Sequence, residues 1–350
     1  MVLVPSSLEL LQPLAGVMST PSFTSLVTLL TGWVFARRPT VTGLLLAAGA
    51  VGSKHHSAFH RFFAAAQWSL NELGLAVFAL IQPWLEPGVI LLALDDTLAR
   101  KCGKQVFGAG MHHDPRLSSR GMAVMNWGHS WVQLGVLVNF RFAPKRWFCL
   151  PILFRLYRNR QTVAQRGGCY RTRPELALEV LHRLCTHAPR LRFARVHAVP
   201  WCRLRVVAVE SLTGPRPRQA FCSTDLTLSA EQTLVLYARR WAIEQTLQES
   251  KTHLGFEAPQ GWTRRTVERT APTGMLLYSL IVLWFAGVGH RSYRPLWRPW
   301  YTSKAAPSFA DILATLRRER VRAGVSSPPG RDRGRRNLLA TLIHLVQQAA

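Results

Sequence analysis

The spacing of apolar and polar positions changes character near residue 86. Residues 6–85 repeat at helical period. Apolar segments such as 23–35 and 44–51 are separated by helix-start residues, with Ser6 and Glu9 spaced as a capping box and Pro21, Thr40 and Ser69 marking later starts. An all-helical N-terminal region is predicted. After Pro87-Gly88, residues 89–94 are continuously apolar and lead into Asp95-Asp96-Thr97, the pattern of a buried strand delivering a carboxylate at its C-terminal end. Residues 132–140 and 147–157 predict two more strands, and Thr172, Pro174 and Glu175 start a helix to about His187. A strand meander followed by a helix predicts an α/β core.

Further on, residues 203–211 and 218–224 alternate around Thr213-Gly214-Pro215, which predicts a hairpin. Ser229 and Gln232 then form another capping box, and Gly255 marks the stop of a long helix. At about 100° per residue, Leu236, Ile243, Leu247 and Leu254 fall in one apolar stripe. Tyr237, Arg240, Glu244 and Lys251 form a second stripe beside it. The helix is thus predicted to pack along one line and hold out a tyrosine, two cations and a carboxylate along the next. Residues 273–288 predict a buried apolar helix, too short and too interrupted by Tyr278 and Ser279 to span a bilayer. Residues 290–306 interleave arginines with Tyr293, Trp297, Trp300 and Tyr301. Ser308 and Asp311 cap a further helix, and 317–336 is a basic tail.

Charge narrows the function. Forty-four Lys and Arg against eighteen Asp and Glu give +26 over 350 residues, a field that favours a polyanion, nucleic acid first. The opening residues lack a cationic region and a cleavage site, and the six cysteines show no paired spacing, which predicts a cytoplasmic protein with neither a zinc site nor a disulfide framework. His55, His56 and His60 predict a basic DNA-contacting surface rather than a metal site. His112, His113 and Asp114, in a glycine-containing loop, stay open between metal ligation, loop hydrogen bonding and DNA contact.

The pattern Tyr237-x2-Arg240-x3-Glu244-x6-Lys251, with Asp95-x-Thr97 closing a strand upstream, resembles the YREK signature of DDE-type insertion-sequence transposases. The group is the one named after insertion sequence four, and the branch that of insertion sequence seven hundred and one. The resemblance implies a ribonuclease-H-like mixed sheet with flanking helices, preceded by the all-helical region. It divides the chain into a helical DNA-binding region (1–85), a catalytic core (86–290) and a basic linker with C-terminal helices (291–350). It implies DNA cleavage and strand transfer by two Mg²⁺ ions, with Mn²⁺ as a substitute, about 4 Å apart and held by carboxylates. By the same resemblance Asp95 and Glu244 are catalytic metal ligands, and Tyr237, Arg240 and Lys251 position DNA phosphates and a displaced base. The implied partners are double-stranded DNA (terminal inverted repeats and target) and a second copy of the chain on that DNA, with no membrane. The implied location is the cytoplasm, on the nucleoid.

One element of the pattern is missing. No aspartate lies between Asp114 and Asp225, and the helix ending near His187 runs almost directly into the 202–209 segment. The strand carrying the second aspartate of such sites, and most of the insertion that follows it, are read as absent. Asp225, Glu210 or Asp96 is the candidate substitute within the chain; otherwise a second chain supplies the acid, or the chain binds DNA without cutting it. A non-catalytic regulator derived from a decayed transposase is therefore the alternative to an active enzyme.

Overall fold

The computed structural model describes residues 4–36, 38–119, 121–189, 204–210, 218–295 and 306–326. Five helices come first: α1 (Pro5–Leu11), α2 (Thr20–Phe35), α3 (Val41–Ala48), α4 (His56–Ala64) and α5 (Leu70–Ile81). The side chains of Thr40 and Ser69 cap α3 and α5 as their spacing predicts. Ser6 does not cap α1: Pro5 occupies the first turn, Val4 is the N-cap, and no side chain bonds it. Proline's fixed φ starts that helix without a capping box.

Strands β1 (Leu92–Arg100), β2 (Gly110–His113), β3 (Met125–Asn139) and β4 (Trp147–Tyr157) form one antiparallel sheet. The long β3 is its spine, pairing with β1 on one edge and with β4 and β2 on the other. β1 departs from expectation. It starts at Leu92 and runs on to Arg100, so Asp95 and Asp96 lie mid-strand rather than at its C-terminal end. The physical reason is the length of β3: its ladder holds β1 from Leu92↔Val136 to Arg100↔Gly128, and that pairing overrides the turn tendency of Asp-Asp-Thr.

Helices α6 (Arg160–Arg166) and α7 (Arg173–His187) follow, the latter with the predicted Thr172/Glu175 capping box. The hairpin strands β5 (Arg205–Val209) and β6 (Gln219–Ser223) pair with each other; its Thr213-Gly214-Pro215 turn lies outside the described residues. Then come α8 (Ala230–His253), α9 (Arg264–Trp284), a π-helical turn (Phe285–Gly289), α10 (His290–Ser292) and α11 (Phe309–Ser326). The aromatic positions Trp297, Trp300 and Tyr301, and the second half of the basic tail (327–336), also lie outside the described residues; its first half continues α11.

The sheet is covered on both faces. Helices α5 and α7 meet one face, where Arg155 donates to Glu179 at 2.7 Å and to Asn71 at 2.9 Å. Gly74 of α5 lies so close to β4 that a Cβ there would sit 1.9 Å from the Ile152 carbonyl oxygen, which only glycine tolerates. Helices α8 and α9 meet the other face, where Thr246 donates to the Cys149 carbonyl and Ser279 to the Pro151 carbonyl, both at 2.9 Å. Against expectation, the helical stretch Arg264–Ser292 is long and apolar enough to cross a membrane, but 89% of its apolar window is buried inside the protein, as the core-helix reading expects. The N-terminal helices share this core. Trp33 of α2 donates its indole N–H to the Leu254 carbonyl at the end of α8, 2.8 Å away, and so anchors the helix that carries the signature.

Candidate active site

Helix α8 is positioned by its buried stripe. Ile243 is fully buried, and Leu247 and Leu254 nearly so, while Leu236, nearer the start of the helix, is only partly covered. Thr233, Thr246 and Ser250 complete the buried side. Burying one branched aliphatic side chain contributes on the order of 1.5–3 kcal/mol, and three of them lock the rotation of α8. The Ser229/Gln232 capping box fixes where it begins. Glu244, the neighbour of Ile243, is therefore turned to the margin of the packed stripe and into a wide cleft lined by Asp95, Asp96, His112, Arg173, Glu244, Lys251 and Glu257.

Asp95 reaches that cleft from β1, and Arg240 joins the two acids. Its guanidinium lies 2.8 Å from Glu244 Oε1 and 3.6 Å from Asp95 Oδ2. The Arg240 guanidinium also lies over the Tyr237 ring, 5.0 Å from its centroid, and contacts the phenol oxygen at 3.4 Å. Burial pushes the Asp95 carboxyl above its ordinary pKa, with the Asp96 and Glu244 charges adding to the effect; the Asp96 backbone N–H and Arg240 oppose it. For Arg240, burial acts to lower the pKa, but Tyr237, Glu244 and Asp95 overcome it and hold the group above its usual value. Two acids crowd one cation here, the electrostatic condition that attracts further positive charge.

The other signature residues are placed differently. Tyr237 is half exposed and meets Phe221 of β6 edge to face at 4.5 Å. Lys251 is a strap: its ammonium donates to the Leu98 carbonyl of β1 at 2.7 Å and lies 3.6 Å from Glu257. Burial lowers its pKa, partly offset by Glu257. Lys101, buried beside it, donates to the carbonyls of Glu257 and Pro259 at 2.7 Å each, and burial lowers its pKa to about 8. Sequence spacing had not singled out Glu257, Lys101, Arg100 or Arg173. Arg100 and Lys101 meet Glu257 across 157 and 156 positions, and Arg173 meets Ser130 across 43, ranges for which no local periodicity exists.

Asp96 faces the opposite side of β1, where Arg173 at the start of α7 binds it at 2.9 Å. Arg173 also donates to Ser130 and stacks over Tyr157 at 4.2 Å. The remaining candidate acids lie elsewhere. Asp225 accepts from Thr227 in the turn before α8, and Glu210 is an exposed partner of Arg218; neither lines the cleft. Asp114 does line it but is engaged by Arg100, Asn126 and the Arg116 N–H. His112 is buried and neutral, its pKa lowered to about 4 by burial and by Arg173. Among the described residues no group of three His, Cys, Asp or Glu side chains is placed to hold a metal, at His55/His56/His60 or elsewhere. The chemistry of the donor set nonetheless fits a hard divalent cation at two positions, since Asp95 and Glu244 offer carboxylate oxygens.

The family model described as DDE superfamily endonuclease matches residues 18–196, just over half the chain. The chain belongs to the DDE superfamily of endonucleases. The match runs from α2 through β1, with Asp95, to beyond α7, and ends before the helix that carries Glu244. A comparison with curated proteins returns no match. DDE endonucleases act on DNA and generally use divalent metals, so a basic protein with hard-oxygen donors in its cleft is coherent with membership.

Proposed function

We propose that this DDE endonuclease is the transposase of an insertion sequence of the insertion-sequence-four-like YREK group, in the seven-hundred-and-one branch. It acts on transposon ends and target DNA in the nucleoid, as a homodimer on that DNA. The observation that carries the reading is the convergence of Asp95 and Glu244 on Arg240. In this reading Asp95 and Glu244 hold Mg²⁺ or Mn²⁺. When bound, a divalent cation supplies Lewis acidity at the scissile phosphate and lowers the pKa of the attacking water or 3′-hydroxyl. Arg240 exchanges its carboxylate contacts for a DNA phosphate, for which its forked donors are suited. Tyr237, exposed one turn before it, meets the nucleotide next to that phosphate, and Lys251 holds β1 against α8 while lending positive charge to the cleft floor. Residues 1–85 contribute DNA contacts through their basic surface.

A second reading is favoured by one observation: Asp96 is committed to Arg173, and the described residues offer no third ligand. Under it the chain occupies transposon ends as a non-catalytic regulator. One experiment separates the two. A supercoiled plasmid carrying the DNA that flanks the coding region is incubated with the protein and Mg²⁺, beside Glu244→Gln. Nicking by the wild type that the variant lacks supports the transposase. Equal, salt-sensitive binding by both without nicking supports the regulator.

A further inference from the structure

Gln133 is fully buried on β3, and among the described residues neither its amide nitrogen nor its amide oxygen has a hydrogen-bond partner. A carboxamide in that condition forfeits on the order of 1–3 kcal/mol for each unmet group, and in folded proteins the large majority of buried side-chain polar atoms have a partner. Its place in the ladder is specific. Gln133 is the direct cross-strand partner of Asp95. Directly opposed residues of antiparallel strands put their side chains on the same face, with Cβ atoms about 4.5–5.5 Å apart. The unsatisfied donor therefore lies beneath the carboxylate of the cleft, on the face covered by α8.

Asp95 is itself under-held. Its Oδ1 accepts from the Asp96 backbone N–H at 2.9 Å, while among the described residues Oδ2 has only Arg240 at 3.6 Å, longer than a normal hydrogen bond. If Arg240 turns to a DNA phosphate, that second oxygen loses the cation beside it. An arginine in this position competes with a metal ion for the carboxylate. A neutral amide N–H does not; it orients the carboxylate while leaving the full negative charge to the ion.

We propose that Gln133 is a positioning residue that donates from Nε2 to the Asp95 carboxylate when a divalent cation is bound. The proposal rests on the reading of Asp95 and Glu244 as the cation site. Ligating carboxylates are themselves held by hydrogen bonds from residues that do not touch the ion, and loss of such a partner typically costs 10–100-fold in metal affinity.

The test is Mn²⁺ binding to the full-length protein without DNA, followed by electron paramagnetic resonance, with Tm recorded for each variant. Gln133→Met keeps the volume and removes the amide. It is expected to fold with an equal or higher Tm, because an unmet buried amide is gone, and to bind Mn²⁺ about 10–100-fold more weakly. An affinity within twofold of wild type overturns the proposal. If Gln133→Met does not fold, Gln133→Leu is read the same way, and failure of both to fold assigns the amide a purely structural role and overturns the proposal too. Asp95→Asn separates the two levels. If wild-type binding is absent, or unchanged in Asp95→Asn, the cation site itself is wrong. If Asp95→Asn loses the ion and Gln133→Met keeps it, only the role of Gln133 falls.

Discussion

Asp95 and Asp96 are consecutive residues on one strand, and the sheet separates them onto two faces with opposite settings. On the α7 face Asp96 is closed into a 2.9 Å pair with Arg173, which is braced in turn by Ser130 and the Tyr157 ring. On the α8 face Asp95 shares one arginine with Glu244 at a longer distance and is paired across the ladder with a buried amide that has no partner among the described residues. The first arrangement is complete as it stands. The second has more negative charge than its single cation satisfies, and it opens toward the cleft. Carboxylates of one type, adjacent in the chain, are thus divided by strand alternation into one that fastens α7 to the sheet and one that is available to a ligand.

The largest expected effect breaks or sustains this division directly. Asp95→Asn and Glu244→Gln should each weaken Mn²⁺ binding by more than roughly 100-fold, since loss of an outer partner alone costs 10–100-fold. Asp96→Asn should stay within threefold of wild type. Equal losses at Asp95 and Asp96, followed by resonance or calorimetric titration, would mean that the two faces do not differ in function.

Second in size is the effect of removing the cation they compete for. Arg240→Ala should reduce DNA affinity about tenfold at moderate salt and lower the slope of log K against log salt by about 0.9, the signature of one lost phosphate contact. Arg173→Ala, on the committed face, should leave that slope unchanged in a fluorescence-anisotropy titration. A fall in slope for Arg173→Ala would place DNA on the α7 side as well.

How much of this was visible in the chain follows from the range of the interactions. The capping boxes of α7 and α8, the meander and the apolar stripe of α8 were legible because each is written within a few residues. The same stripe predicts which way Glu244 turns. The extent of β1 was not legible, because its continuation to Arg100 depends on β3, about thirty to forty positions away. Lys251 illustrates a different limit. Its spacing from Glu244 marks it as part of the cleft, but its contact with the Leu98 carbonyl exists only once the helix lies on the strand. The isolation of Asp225 and Glu210 from the cleft was equally invisible, because turn chemistry and ligation call for the same side chains.

Acid should act on both faces, and here the expected effect is moderate. His129, on the Asp95 face, is buried and its pKa is lowered to about 3 by burial and by Lys101, against the Phe107 carbonyl that accepts from its ring. The unfolded chain protonates such a group near pH 6.5, and the folded chain does so only near 3. Between those values the unfolded state binds more protons, so stability falls as pH falls, by roughly 1.4 kcal/mol per unit at most for one histidine. His112, on the Asp96 face, acts in the same direction between pH 6.5 and about 4. Urea denaturation from pH 7 to 4 should show a shallower decline for His129→Gln than for wild type. An unchanged slope would mean that His129 protonates without disturbing the fold.

The smallest effect tests the claim that the Asp96 side is purely a fastening. The Arg173 and Asp96 side chains are 38% and 45% exposed, so solvent screens their attraction, and an exposed pair contributes about 0–1 kcal/mol. Arg173 also keeps its Ser130 and Tyr157 contacts when Asp96 is neutralised, which limits the loss further. Asp96→Asn should therefore destabilise the protein by less than about 1 kcal/mol in urea, and a double-mutant cycle with Arg173→Ala should return a coupling of similar size. A coupling of several kcal/mol would show that the pair is far better shielded than its exposure implies.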